Sequence, residues 1–332
     1  MKAIVLTDYG APDVLQLQDI DAPRLATDTD VLVRLKAAGV NPLDTKLRAK
    51  AGAYPLTVPA VLGCDGAGIV EDVGKAVKRV RPGDDVFFYN FALHGRPGSY
   101  AQYSVVDECL VAKKPKSLSF IEAAAVPLSF ITAWEALHER AHVHARDHVL
   151  IHAGAGGVGH IAIQLAKQAG ARVATTVSNQ EKSDFVLRLG ADQPIFYNRQ
   201  DVVEATLAFS DDRGADIAFD TVGGETFGRT FGAVRYGGDI VTLLAPAPST
   251  DWSIARTRNL RVSYELILTP ILLNLRDAQR HQGLMLLEAT ELIDAGKLEI
   301  HIGETFPLAN AADAHRRIEA GGVTGKLVLT ID

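Results

Sequence analysis

Apolar and polar residues alternate over the first third of the chain in short runs cut by Gly and Pro, at 3–6, 30–38, 66–73, 85–88 and 98–106. Period-two patterning of that length predicts strands, and this succession of short strands predicts a compact barrel-like β domain over residues 1–122. The period changes at 119–139, where Ser119 and Glu122 stand at capping-box spacing ahead of a helical apolar run. Beyond it strands and amphipathic helices alternate. Strands at 149–151, 172–177, 194–197, 215–220, 238–244 and 260–268 predict a six-stranded, doubly wound parallel sheet. A helix at 276–295, a strand at 301–306, a helix at 310–320 and a strand at 326–331 close the chain. These last pieces are expected to return to the first domain, so that 1–122 with 298–332 forms one domain and 123–297 is inserted into it.

Between the first two strands of that sheet lies Gly154-Ala155-Gly156-Gly157-Val158-Gly159, a complete G-x-G-x-x-G. Ile161, Leu165 and Ala166 follow at helical spacing, and Gly170 stops the helix. A strand, this turn and a helix in that order predict a dinucleotide-binding βαβ unit. Gly154 is expected to make the sharp turn, Gly156 to let the backbone approach a pyrophosphate, and Gly159 to bring helix against strand. The amides and dipole of the helix start would hold the phosphates. An NAD site places Asp or Glu at the end of the second strand to hold the ribose 2′-hydroxyl. Here that strand ends in Ser178-Asn179 with Lys182 behind it, and Glu181 lies past the expected position. A carboxylate would repel a 2′-phosphate, whereas hydroxyl, amide and ammonium donors favour it, which predicts NADPH over NADH. Loops after the fourth and fifth strands face the ligand in such sheets, which adds Thr221, Val222 and Leu244.

Composition narrows the class. The chain has 332 residues, 47% hydrophobic and 22% charged, enough for two domains of an ordinary globular protein. A net charge of −6 argues against nucleic acid or an anionic membrane as the main partner, so the positive charge a phosphate needs must be local. Cys64 and Cys109 are the two cysteines, and Met1-Lys2 leads straight into a strand-like run, which together predict a reduced, cytoplasmic setting. The apolar run 123–134 contains Pro127 and is too short to span a bilayer. Five of the ten histidines, His138, His142, His144, His148 and His152, crowd together. His138 and His142 could share a helix face, but His148 and His152 fall on the first sheet strand, so surface or capping roles are expected rather than a metal site.

Several further pieces carry a family resemblance: Ala38-Gly39-Val40-Asn41-Pro42-Leu43-Asp44, Gly63-Cys64-Asp65-Gly66-Ala67-Gly68-Ile69-Val70, Val80-Arg81-Pro82-Gly83-Asp84-Asp85-Val86, Phe219-Asp220-Thr221-Val222-Gly223-Gly224 and Gly325-Lys326. With the glycine turn they resemble the medium-chain dehydrogenase/reductase superfamily, in its zinc-independent quinone oxidoreductase or ζ-crystallin-like branch. The resemblance implies a GroES-like β-barrel substrate domain with an inserted Rossmann domain, and NADPH in the cleft between them. It further implies hydride transfer to a quinone or to an activated carbon–carbon double bond. Zinc enzymes of the superfamily need three catalytic ligands and four closely spaced structural cysteines. At the corresponding places this chain has Asn41, Cys64-Asp65 and Pro127-Leu128-Ser129, and 91–98 holds no cysteine. Oxidation of a plain alcohol is therefore not expected.

The resemblance also nominates residues. Asn41 would donate from its amide to a carbonyl or ribose hydroxyl. Tyr54, in Gly52-Ala53-Tyr54-Pro55, aligns with a tyrosine at the substrate of related reductases and would donate a hydrogen bond or proton. Asp44 would orient these groups, though it also suits a helix-start carboxylate. Lys46 stands where many relatives have tyrosine. Cys64 reads as a small buried residue near the cleft. Tyr197 matches a position near the adenosine phosphate, and Lys326 is counted with the cofactor residues. The strand 260–268 resembles the one through which family members pair into homodimers. Two other classes stay open. An enoyl- or acryloyl-CoA or haloacrylate reductase would need a basic cluster, for which Arg256, Arg258 and Arg261 could serve if they are not a solvated face. A non-catalytic NADPH-binding stress protein would keep the fold without turnover.

Overall fold

The period-two runs at the start of the chain fold as strands β1 (Lys2–Leu6), β2 (Leu15–Asp19), β3 (Asp30–Val40), β4 (Ala60–Val61), β5 (Asp65–Val73), β6 (Asp85–Tyr89), β7 (Tyr103–Asp107) and β8 (Val111–Lys113). A second series follows: β9 (His148–Ile151), β10 (Arg172–Val177), β11 (Gln193–Phe196), β12 (Ala215–Asp220), β13 (Val234–Thr242) and β14 (Arg261–Tyr264). The chain then closes with β15 (Ile302–Pro307) and β16 (Lys326–Thr330). The structure, a computed structural model, describes residues 1–50, 54, 56–93 and 95–332. They form two units, Met1–Ile131 with Ile267–Asp332, and Thr132–Leu266.

In the first unit β3 is the spine. It pairs antiparallel with β5, β7 and β16, within a sheet ordered β15-β16-β3-β5-β6-β8; a smaller sheet runs β2-β1-β4. Val31, Val33, Leu35 and Ala37 are buried while Leu32, Arg34 and Lys36 between them are half-buried, the alternation that one-sided burial demands. A Cβ on Gly68 would lie 2.2 Å from the Arg34 carbonyl oxygen, so β5 can close on β3 only without a side chain there. At the end of β3 the chain turns at Asn41 into the helix Pro42–Ala49, with proline at its first position. Register sets Leu327 of β16 opposite Val40, which brings Lys326 beside Asn41.

In the second unit all six strands are parallel, in the order β11-β10-β9-β12-β13-β14. The order reverses between β9 and β12, the switch point where such sheets bind ligands. Leu150, Ala174, Ala218 and Ile240, from four neighbouring strands, are wholly buried in one cluster with Phe227 and Phe231.

Three elements depart from the periodicity. The helical run 119–139 is broken into Phe120–Ala124, Pro127–Trp134 and a π-helical turn at Glu135–Arg140, because Pro127 has no N–H to continue the first helix. The capping box at its start forms, with Ser119 N–H donating to Glu122 Oε2 (2.8 Å) and Glu122 N–H to Ser119 Oγ (3.3 Å). The sixth sheet strand ends at Tyr264, and Ile267 and Leu268 are buried in turns instead of extending it. The helix Arg276–Asp294 packs within the first unit and not on the parallel sheet. There Tyr89 donates to Gln282 Oε1 (2.5 Å), Thr290 to the Lys113 carbonyl (3.1 Å), and a Cβ on Gly283 would sit 1.7 Å from the Cys109 carbonyl oxygen. The unit boundaries thus fall at 131 and 267 rather than 122 and 298. An apolar helical stripe shows that a face is covered, not which sheet covers it. Among the described residues no helix is long and apolar enough to cross a membrane.

Candidate functional site

The glycine turn follows β9 as expected, but its strained residue is Ala153, with φ +51°, onto whose carbonyl Gly156 N–H closes (2.9 Å). Gly154 is required by packing: a Cβ there would lie 2.0 Å from Thr175 Oγ1 and 2.9 Å from Ile163 Cδ1. At Gly159 it would lie 2.4 Å from the Ala153 carbonyl oxygen, which seats the helix Gly159–Gln168 against the turn. Gly156 differs, since its Cβ would meet only the Ala153 oxygen at 3.2 Å. Apart from that one tight contact, no other heavy atom outside the adjoining residues lies within 4 Å of the Cβ, as a cradle for a ligand requires. The amides of Gly157 and Val158, in the turn that leads into the helix, and of Gly159, its first residue, have no carbonyl partner in the helix and suit a phosphate. Ala155 is buried beside them.

Side chains that no motif announces pin this turn. Thr175 Oγ1 donates to the Ile151 carbonyl (2.7 Å), Ala153 N–H to Thr176 Oγ1 (2.8 Å), and Thr221 Oγ1 to the His152 carbonyl (2.8 Å). The Thr230 hydroxyl gives its proton to the Thr226 carbonyl (2.7 Å), so at 2.9 Å it accepts from His152 Nε2–H. Burial holds His152 below the usual histidine range and hence neutral.

At the end of β10, Asn179 caps the helix Gln180–Arg188 by accepting from Lys182 N–H (2.9 Å). Asn198 donates to the Ser178 carbonyl (3.0 Å) and ties this end to the loop after β11, where Tyr197 is exposed. Ser178, Asn179, Lys182 and Tyr197 therefore gather at the carboxyl ends of two neighbouring strands. The carboxylate at the end of β12 is spent internally: Asp220 accepts from Val222 N–H (2.9 Å), Gly223 N–H (2.9 Å) and Thr242 Oγ1 (2.9 Å). This fixes the loop that presents Thr221 and Val222. A Cβ on Gly223 would lie 2.5 Å from that of Leu244, which holds the two strand-end loops in contact.

In the first unit a buried polar cluster surrounds Asn41. Its Nδ2 donates to Asp65 Oδ2 (3.0 Å), and its Oδ1 accepts from the Lys326 ammonium, which is also 3.4 Å from Asp65 Oδ2. One amide proton of Asn41 remains. Lys326, placed with the cofactor residues by the resemblance, is buried in this cluster. Asp65 Oδ1 accepts from Leu128 N–H (2.8 Å), and Asp44 Oδ2 accepts from Asn41 N–H (2.8 Å). Asp44 is accordingly both the helix-start carboxylate and a member of the site. The Cys64 thiol donates to Asp44 Oδ1 (3.1 Å) and the Tyr100 hydroxyl lies 3.2 Å from Oδ2. His315 Nε2 lies 3.2 Å beyond Tyr100, and the buried Arg48 pairs with Glu319 one turn along from His315. Tyr100, His315 and Arg48 carry no motif and were not foreseeable from local pattern.

Burial dominates the electrostatics. It raises Asp44 to about 6, and it raises Asp65 against the pull of Lys326 and the Asn41 amide. Burial, with two carboxylates near, keeps the Cys64 thiol and the Tyr100 phenol protonated well above their usual ranges. These donors do not fit zinc. The cluster offers a single thiol beside an amide and carboxylates, and the Asp65 oxygen facing Asn41 already holds an ammonium.

The other nominated residues fall in scattered places. Tyr54 is half-buried, which raises its phenol, while 51–53 and 55 lie outside the described residues. Lys46 is on the outer face of the helix Pro42–Ala49, its ammonium lowered by partial burial. His148 and His152 are buried, not surface residues: His148 meets Arg172 at 3.0 Å and the Phe209 ring edge-on. His142 instead bonds back to the His138 carbonyl (3.0 Å). Of the three arginines considered for a CoA substrate, Arg258 donates to the Val234 carbonyl (2.7 Å) and Arg261 pairs with Asp239, leaving Arg256 exposed at a helix end.

Comparison with known proteins matches this geometry to a family. The alcohol dehydrogenase GroES-like domain model matches residues 27–116 and the zinc-binding dehydrogenase model matches 189–329. The 2-methylene-furan-3-one reductase of Solanum lycopersicum is 35% identical over 99% of this chain and 79% of its own length. A quinone oxidoreductase of Pseudomonas aeruginosa is 33% identical over 99% of both chains. The crystal structure of Escherichia coli quinone oxidoreductase complexed with NADPH superposes with a TM-score of 0.89 at 28% identity, covering 100% of both. The chain belongs to the medium-chain dehydrogenase/reductase superfamily, in its quinone oxidoreductase, ζ-crystallin-like branch.

Proposed function

We propose that this chain is an NADPH-dependent reductase that transfers a hydride to a quinone or to a carbon–carbon double bond conjugated to a carbonyl, without zinc. The observation that carries the reading is the Lys326 ammonium held against Asn41 Oδ1 and Asp65 Oδ2. A fixed cation stabilises negative charge developing on an acceptor oxygen, but it cannot ionise an alcohol as a bound zinc does. The reductases among the relatives support the acceptor class, and the NADPH in the Escherichia coli structure supports the cofactor.

The nicotinamide supplies the hydride when the cofactor is bound. In the second unit, residues 154–159 would hold its pyrophosphate, and Ser178, Asn179, Lys182 and Tyr197 its 2′-phosphate, beside Thr221, Val222 and Leu244. In the first unit the free amide proton of Asn41 is the donor for an acceptor oxygen. Tyr54, protonated at neutral pH, is the second donor, and Asp44 fixes the Asn41 backbone. The edge strand β14, with Tyr264 exposed, is where a second copy would pair. Light scattering that returns a monomer would remove that pairing.

The test is NADPH oxidation with a panel of quinones, enones and acyl-CoA thioesters, with and without a strong zinc chelator. Turnover with quinone or enone that the chelator leaves unchanged is expected. Asn41→Ala and Tyr54→Phe should each lower it, and full activity in both would overturn the site assignment. Tighter binding of NADH would overturn the cofactor, and turnover confined to CoA esters would move the acceptor class.

A further inference from the structure

Behind Asn41 lies a second polar layer around Asp44, whose members Tyr100 and His315 the proposed chemistry does not use. Asp44 is fully buried at its centre, and the groups facing it come from five places. Its own helix brings the Asn41 N–H and, one turn on, Arg48; the start of β5 brings Cys64 and Asp65. The segment before β7 brings Tyr100, the helix Ala311–Glu319 brings His315, and β16 brings Lys326. Burial and the Arg48 charge hold His315 neutral, near 3, and its Nδ1 is buried without a partner.

That orphan nitrogen decides the direction of the chain. Beside a guanidinium, a bare lone pair on Nδ1 is favoured over an N–H, so the ring proton lies on Nε2. Nε2–H then donates to the Tyr100 oxygen, and the single Tyr100 proton has Asp44 Oδ2 as its acceptor. This oxygen receives two donors, Asn41 N–H and Tyr100 O–H, which favours the carboxylate against the cost of burial.

We infer that Tyr100 and His315 form a positioning pair that sets the charge on Asp44 and, through it, how strongly Asn41 and Lys326 draw electrons towards an acceptor. The inference rests on the reductase reading. With Asp44 ionised, the charges around Asn41 (Asp44, Asp65 and Lys326) sum to −1; with Asp44 protonated they cancel. Hydride arrival adds negative charge to the acceptor, so the neutral cluster favours it and turnover falls as Asp44 ionises. The one proton that the reduction consumes with the hydride comes from solvent, and none of it is assigned to Asp44.

Two midpoints are measured for the purified protein: that of kcat/KM against pH with a quinone, and that of the protonated-carboxyl infrared band. The wild type should show a limb that falls with rising pH, and Asp44→Asn should lose both the limb and the band. Tyr100→Phe, which removes one donor to the carboxylate, should move both midpoints up by about one pH unit, leaving the variant faster than wild type at neutral pH. A purely structural role would slow it at every pH. Midpoints that stay put or move down overturn the inference. If Tyr100→Phe does not fold, His315→Leu should move them the same way, and no movement there counts equally against it. A wild type that oxidises no NADPH at any pH refutes the reductase reading, while the infrared midpoints still test the pair.

Discussion

Removing the Lys326 ammonium should cost more than the ion pair is worth, and removing Asp65 with it should return most of the loss. The two side chains are 3% and 0% exposed and 3.4 Å apart. With an effective dielectric of about 20, that separation gives an attraction of about 5 kcal/mol. Desolvation of two buried ions takes back several kcal/mol each, so the intact pair nets little. Lys326→Met leaves Asp65 buried with only the Asn41 amide and Leu128 N–H as donors, and Asp65→Asn leaves the ammonium with Asn41 Oδ1 alone. Each single change should cost about 3–5 kcal/mol. In Lys326→Met/Asp65→Asn the new amide can donate to Asn41 Oδ1 and still accept from Leu128 N–H, so the double change should cost only about 1–2 kcal/mol. Urea unfolding of the four proteins at neutral pH measures the cycle. The Lys326→Met deficit should also shrink as pH falls, because Asp65, already raised by burial, takes a proton. Single costs below about 1 kcal/mol, or a double cost equal to their sum, would refute the buried pair.

Asn179→Asp keeps a good helix cap but sets a carboxylate where the 2′-phosphate would lie; NADPH affinity should fall roughly tenfold or more in a fluorescence titration while NADH is spared, and equal losses would count against the assignment. Gly154→Ala, whose Cβ would lie 2.0 Å from Thr175 Oγ1, should destabilise the fold by about 1–3 kcal/mol and lose nucleotide binding. Gly156→Ala, meeting only the Ala153 oxygen at 3.2 Å, should instead melt near wild type and lose affinity alone. Asp44 is raised to about 6 from the usual 3.8, so the folded state binds its proton more tightly and loses stability as pH rises through that window. Relative to wild type, Asp44→Asn should gain on the order of 3 kcal/mol between pH ~4 and ~7; a constant difference would show that Asp44 does not titrate there.

What could be read from pattern is what lies close along the chain. Strands β10 and β12 fall on their predicted residues, and the helix Arg276–Asp294 ends one residue short of its predicted end, because burial on both faces or on one stripe leaves a direct periodic trace. The glycine turn and the Ser178-Asn179 strand end were legible for the same reason, as local chemistry in a local order. The first unit's cluster was not. Asn41, Asp65 and Lys326 meet through the pairing of β3 with β5 and β16, and Tyr100 and His315 reach Asp44 from the segment before β7 and the helix Ala311–Glu319. Lys326 shows what is lost without that pairing. By resemblance this lysine is placed with the cofactor residues, and nothing local says where its ammonium goes. Once Leu327 is set opposite Val40, the same ammonium is carried into the interior against Asn41 and Asp65. The donor types around Asn41 can be read from the sequence, but which cation stands beside them is decided by strand register.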